Sequence, residues 1–119
     1  MQSYKDLIVW QKSVQLVTEL YCVTEKFPKT EIFGLTSQIR RASVSIPANI
    51  AEGYARKHKK EYIQFLRIAF GSGAELETLL VISKNLGFIK DDSIIKVNEL
   101  LDEVMRMLNK LVSTLVAKP

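Results

Sequence analysis

The residues that most often perform catalysis are few in this sequence and poorly placed for it. The one histidine, His58, lies in the segment 56–60, whose four remaining residues are all Lys or Arg. The one cysteine is Cys22. A nucleophilic site needs such a group beside a base inside a pocket, so we expect His58 to be an exposed surface residue. Glu75 and Glu77 are two positions apart on a predicted helix and face different directions. We therefore expect no enzymatic activity.

Metal and phosphate-loop chemistry are not expected either. One cysteine and one histidine cannot make a thiolate cluster, and the Glu-x-x-His pattern of helical-bundle metal sites does not occur. The run Gly71-Ser72-Gly73 lacks the lysine and the preceding strand of a phosphate-binding loop. Small residues of this kind more often allow two helices to cross closely. We expect no cofactor.

Positive charge is the main remaining chemical feature, and it is concentrated in one quarter of the chain. The 119-residue sequence has a net charge of +4, and residues 31–60 carry six basic and two acidic side chains. Clustered lysine and arginine bind phosphate groups without reading bases. The alternative is a solvated helix connection whose cations stabilise a helix C-terminus. The predicted nucleic-acid-binding residues, with RNA favoured over DNA, are Arg40, Arg41, Arg56, Lys57, Lys59, Lys60 and Arg67.

A polar cluster interrupts a mostly apolar segment and forms a second candidate site. Asn49 and Glu52 are one helical turn apart, and Gly53 follows directly. If these polar side chains are buried, they must find hydrogen-bond partners. The favoured interpretation is a structural polar clamp on the helix, and a partner-binding site is the alternative.

The composition is that of a single globular domain over residues 1–119. Hydrophobic residues make up 47% and charged residues 25%, and a chain of this length can bury a core without cross-links. No apolar run approaches the ~20 residues that span a bilayer, and no signal-peptide pattern occurs. A lone thiol fits a reducing compartment. We expect a cytoplasmic protein.

Apolar residues at three- and four-residue spacing predict four long helices. Their approximate limits are 4–26, 30–56, 59–86 and 92–116. Pro28 ends the first helix, and Gly87 is expected to end the third in a left-handed conformation. Pro47 should kink the second helix, or break it at 45–47. Short connections predict an all-α, antiparallel up-down-up-down four-helix bundle.

The first predicted helix has two apolar stripes, whereas a four-helix bundle needs one stripe from each helix. The first comprises Leu7, Trp10, Val14, Val17 and Tyr21. Extra apolar surface often marks an interface, so the second stripe is predicted to mediate self-association, with a wide core-facing stripe as the alternative. The predicted oligomer-interface residues are Val9, Leu16, Leu20 and Val23.

The run Ser-Ile-Pro-Ala-Asn-Ile-Ala-Glu-Gly-Tyr at 45–54 resembles the signature of the bacterial four-helix bundle proteins encoded in intervening sequences of 23S ribosomal RNA genes. The segments 7–12 and 72–76 are also similar, and the resemblance covers nearly the whole chain. Asn49, Glu52 and Gly53 match signature positions. The resemblance implies a homopentameric ring without enzymatic activity. It also implies a relation to the accessory variability protein of diversity-generating retroelements, which binds reverse transcriptase and nucleic acid through a basic surface.

Residues and resemblance together predict a non-catalytic, self-associating bundle that binds structured RNA through a basic surface. The alternative is a protein–protein adaptor that does not bind RNA itself, for example an accessory subunit for a reverse transcriptase.

Overall fold

A computed structural model describes residues 3–119 as four long helices with short connections. They are α1 (Ile8–Thr24), α2 (Leu35–Arg56), α3 (Lys59–Asn85) and α4 (Asp91–Ala117), with 3-10 turns at Tyr4–Asp6 and Lys29–Glu31. Within 3–119 there is no strand. Each helix packs on the next in chain order and α4 packs back on α1, so α1 lies diagonally from α3 and α2 from α4. The predicted antiparallel all-α bundle is confirmed.

The predicted helix limits hold at most ends but not at the starts of the first two helices. The second helix was predicted from residue 30, but α2 begins at Leu35, after the separate 3-10 turn at Lys29–Glu31. Ser3 accepts a hydrogen bond at Oγ from the Lys5 N–H (3.1 Å), and this caps a 3-10 turn instead of a longer α-helix. Leu7 is extended (φ −72°, ψ 124°) and separates that turn from α1. Gly87 has a φ of +79°, as predicted for the residue that terminates α3.

Pro47 lies inside α2, which continues without interruption from Leu35 to Arg56. The alternative of a break at 45–47 is therefore wrong, and the kink stays a prediction. Proline removes one backbone hydrogen bond, but Ile46 and Pro47 are both buried. Packing of this turn against the core outweighs the loss of one amide donor.

The predicted oligomer-interface stripe on α1 belongs to the core, and that prediction is wrong. Leu16 and Leu20 are completely buried, Val9 is 3% exposed, and Val23 packs against the same core. The other stripe is exposed only in part: Val14 and Tyr21 are 36% and 42% exposed, whereas Leu7 and Trp10 pack against the core.

Two buried polar residues explain why the sequence pattern assigned the core-facing stripe of α1 to an oligomer interface. Ser13 and Thr24 occupy core positions in register with Leu16 and Leu20, and their hydroxyls donate to backbone carbonyls of their own helix. Such hydrogen bonds satisfy a hydroxyl inside a core. A pattern read from apolar residues alone misses both positions.

Gly53 allows α2 to approach α3 closely. A Cβ at Gly53 would lie 2.7 Å from Cβ of Phe65 and 3.3 Å from the carbonyl oxygen of Tyr62. Gly73 likewise allows α3 to approach Met105 of α4, as predicted for a close crossing. Gly71 has no neighbour of this kind.

Substitution of Gly53 by alanine tests this close approach. We expect Gly53→Ala to lower the free energy of unfolding by about 1–3 kcal/mol, because a methyl group would overlap α3. The matched control Gly71→Ala should raise it by roughly 0.5–1 kcal/mol, because alanine restricts the unfolded chain and meets nothing. Urea denaturation measures both, and equal effects would contradict the assigned packing.

Candidate nucleic-acid interface

The connection between α2 and α3 is only two residues long and brings four predicted cations together. Lys57 has a left-handed backbone (φ 61°, ψ 22°), which is uncommon outside glycine, and its N–H donates to the carbonyl of Tyr54. His58 is extended (φ −123°) and exposed, as expected. The reversal places a set of exposed basic residues at one end of the bundle: Arg56, Lys57, Lys59 and Lys60.

Charge is divided unevenly along the bundle axis. Antiparallel packing brings residues 3–16, 46–72 and 105–119 into the half that contains the α2–α3 connection, and 17–45 and 73–104 into the other. The first half has ten basic and three acidic side chains, giving +7, and the second has seven and ten, giving −3. We call these the basic half and the acidic half. A molecule with a net charge of only +4 thus presents a strong positive end.

Arg40 was predicted to bind nucleic acid, but its guanidinium is used in contacts within the protein. Its Nε donates to Oγ1 of Thr24 (2.9 Å), its Nη2 lies 3.5 Å from a carboxylate oxygen of Glu25, and its guanidinium lies 4.4 Å from the Tyr21 ring centroid. These contacts join α1 to α2 within the acidic half. Arg41 is exposed but also belongs to that half, so neither arginine lies with the cations of the connection.

Arg56 is partly neutralised by its neighbours. It lies 3.2 Å from the carboxylate of Glu52 and 3.9 Å from that of Glu61, and its guanidinium packs 5.1 Å from the Phe65 ring centroid. Its charge is therefore offset by two carboxylates, and its position is set by packing against α3.

The cations free of carboxylates form a smaller group in the basic half. Within 3–119, no acidic side chain lies within 4 Å of the charged groups of Lys57, Lys59, Lys60 or Arg67. Lys59 donates from Nζ to the carbonyls of Lys118 and, at 3.4 Å, Pro119, which joins the start of α3 to the end of α4.

The carboxyl-terminal half of α4 contributes cations that the sequence interpretation missed. Beyond Glu103 there are three basic residues and no acidic one, namely Arg106, Lys110 and Lys118. Antiparallel packing places all three in the basic half, and Lys118 contacts Lys59 at the start of α3. The absence of acidic side chains after Glu103 was the signal that could have found them.

The predicted polar cluster does not form one site. Asn49 donates from Nδ2 to the carbonyl and Oγ of Ser45 (2.7 and 2.9 Å), and Ser45 shares a hydrogen bond with Ser72 of α3 (2.8 Å). Glu52 instead accepts from Arg56. Gly53 provides the close approach to α3. The hydrogen bonds favour the structural clamp, here one that joins α2 to α3.

Residues with other chemistry do not gather around the basic half. Burial, reinforced by the neighbouring Tyr54, raises the pKa of the Tyr62 phenol, so it stays neutral near pH 7. In the part of the chain that the structure describes, no group of three potential metal ligands occurs. The arrangement is suited to attracting an anionic partner.

Comparison with known proteins identifies the family. The family model described as 23S rRNA-intervening sequence protein matches residues 5–110. The chain belongs to this family.

A solved structure has the same fold. A protein of unknown function from the S23 ribosomal protein family of Bacteroides thetaiotaomicron VPI-5482 superposes with a TM-score of 0.81 and 22% sequence identity, over 89% of this chain and 96% of that one. At this identity the likeness concerns the fold. No curated protein matches. None of the described helices of this 23S rRNA-intervening sequence protein is long and apolar enough to cross a membrane.

Substitution of Arg40 tests whether this residue stabilises the contact between α1 and α2 or is only an exposed cation. We expect Arg40→Gln to lower the free energy of unfolding by about 1–2 kcal/mol, because it removes a charge-assisted hydrogen bond and a cation–π contact. Arg106→Gln is the matched control. Arg106 pairs with Asp102 on the surface, so its loss should change stability by less than about 0.5 kcal/mol. Thermal and urea unfolding measure both, and an unchanged stability for Arg40→Gln would contradict the assigned clamp between α1 and α2.

Proposed function

We propose that this 23S rRNA-intervening sequence protein binds structured RNA without catalysis, through its basic half, in the cytoplasm. The observation that supports this is the separation of charge, with ten basic and three acidic side chains in one half of the bundle. The proposed contacting residues are six exposed cations of the basic half that form no ion pair with an acidic side chain within 3–119: Lys57, Lys59, Lys60, Arg67, Lys110 and Lys118.

Phosphate attraction is sufficient for such a function. Each phosphate neutralised by a lysine or arginine releases counterions, so affinity falls steeply with salt. Contacts of this kind position a protein on RNA through shape and backbone and need no cofactor or reactive group. In a ring of subunits the basic ends would add their fields.

The first test removes four cations from the basic half. The variant with Lys57, Lys59, Lys60 and Arg67 changed to glutamine should bind ribosomal RNA far more weakly. Its log–log salt slope should become shallower by up to roughly 3 to 4, about one for each lost phosphate contact. Electrophoretic mobility at several salt concentrations measures both quantities.

A matched control removes the same charge from the acidic half. With Lys26, Lys29, Lys84 and Lys90 changed to glutamine, the net charge falls equally but the basic half is intact, so affinity should change little. Equal losses in the two variants would show attraction by total charge only. If the unmodified protein gives no shift at all, the adaptor alternative, for example an accessory subunit for a reverse transcriptase, replaces RNA binding.

Self-association is the second part of the proposal. Because the predicted interface stripe of α1 is buried in the core, the contact must use other, exposed surfaces. On α2 and the preceding turn, Phe33 is 95% exposed and Val44 43% exposed beside Arg41. On α4, Ile95 is 54% exposed between Asp92 and Glu99. We call these the α2 surface and the α4 surface. Large exposed apolar side chains of this kind mark interaction sites.

The two surfaces complement each other. Both lie in the acidic half, and because α2 and α4 are diagonal they lie on opposite sides of the bundle. The α2 surface is cationic through Arg41 and the α4 surface anionic through Asp92 and Glu99. Two different surfaces on opposite sides produce head-to-tail association, which closes into a ring when the rotation permits. The ring that the family resemblance implies is a homopentamer.

Charge reversal tests this contact. Arg41→Glu and Glu99→Lys should each shift the protein toward the monomer, because each places like charges against each other, and the double variant should recover association. Sedimentation velocity measures the shift, with Glu77→Lys on α3 as the matched control. Association unchanged in both single variants would contradict the assigned surfaces.

A further inference from the structure

A groove between α3 and α4 has a composition distinct from the rest of the basic half. It is lined by one aromatic ring, that of Phe70, by Arg67, and by the polar side chains of Asn109 and Ser113. Its apolar wall includes Val112. No acidic side chain contributes to the lining.

The groups at the rim are free to bind a ligand. Phe70 is 38% exposed although it lies on a helix of a packed bundle. Asn109 and Ser113 are exposed, and neither side chain makes a hydrogen bond to another part of 3–119. Arg67 lies one turn before Phe70 on α3, so the guanidinium and the ring share one side of the helix. Lys60 extends the same strip of α3, since it and Arg67 line the adjoining groove.

We propose that this groove binds an unpaired nucleotide of RNA. The base would stack on Phe70, the amide of Asn109 would pair with the base edge, and Arg67 and Lys60 would bind the flanking phosphates. The inference rests on the proposed RNA binding and names the element of RNA that is recognised.

The chemistry of the lining favours this occupant. A nucleobase has a flat apolar face, a polar edge and an adjacent phosphate, and the groove offers an aromatic ring, an amide with a donor and an acceptor, and a cation. Aromatic side chains in positively charged grooves are the usual means of holding single-stranded nucleic acid. A base inside a duplex cannot stack on the ring, so the groove distinguishes unpaired from paired RNA.

The experiment compares unpaired and paired RNA on the full chain. Fluorescence anisotropy would be measured with a labelled single-stranded oligoribonucleotide and with a duplex of equal length. Phe70→Leu should weaken binding of the single strand about 5- to 100-fold, the range expected for one lost base stack, and leave duplex binding unchanged. Phe70→Trp should retain single-strand affinity, because the larger ring still stacks. Val81→Ala, which truncates an exposed apolar side chain of α3 in the acidic half and outside both proposed contact surfaces, is the control and should have no effect.

The outcomes separate this inference from the proposed function. If the unmodified protein binds both RNAs but Phe70→Leu binds the single strand equally well, the groove assignment is overturned and RNA binding stands. Equal weakening on single strand and duplex also overturns it, because the ring would then act through the fold. If the unmodified protein binds neither RNA, the proposed function fails with it. Circular dichroism on each variant confirms that the helices are retained.

Discussion

The close packing of α2 against α3 is the constraint on which the rest of the structure depends. Gly53 lets the two backbones approach, and the left-handed Lys57 reverses the chain within two residues. The Asn49–Ser45–Ser72 hydrogen bonds hold the same pair of helices nearer the middle. A longer or looser connection would let the cations of 56–60 separate. Because the connection is short, the cations of 56–60 all lie at one end of the bundle, around the start of α3.

The same antiparallel packing makes the molecule electrically polar. All five acidic side chains of α4 lie in its first half, where Lys96 is the one basic residue, and its second half has Arg106 and Lys110 and no acidic residue, so α4 adds positive charge to the basic half and net negative charge to the acidic half. This separation of charge places the proposed RNA binding and the proposed self-association in different halves of the bundle. RNA phosphates are attracted to the basic half, whereas the complementary α2 and α4 surfaces both lie in the acidic half. Assembly through the acidic half would leave every basic half accessible.

The contacts that an arginine makes within the protein, more than the number of arginines, decide which of them are free to bind a partner. Arg40 and Arg56 are the predicted cations with the most elaborate surroundings, and both are used inside the molecule: one joins α1 to α2, and the other packs on Phe65 between two carboxylates. The cations left without acidic neighbours within 3–119 are mainly lysines, together with Arg41 in the acidic half and Arg67 in the basic half. The groove beside Arg67 adds the Phe70 ring and the Asn109 amide, which makes no hydrogen bond within 3–119, so this region offers more than charge.

Sequence by itself determined the four helices, their antiparallel order, the left-handed Gly87 and the family, because helical periodicity, turn chemistry and a specific motif are local properties of the chain. It could not decide which stripe of α1 is core, since Ser13 and Thr24 satisfy their hydroxyls on their own helix and thus occupy buried positions that an apolar pattern leaves blank. It also could not show that Asn49 and Glu52 have separate partners, or that Lys118 contacts Lys59 and Lys110 lies in the same half of the bundle. Those facts depend on contacts between residues far apart in the chain, and only the packing of the helices against one another creates such contacts.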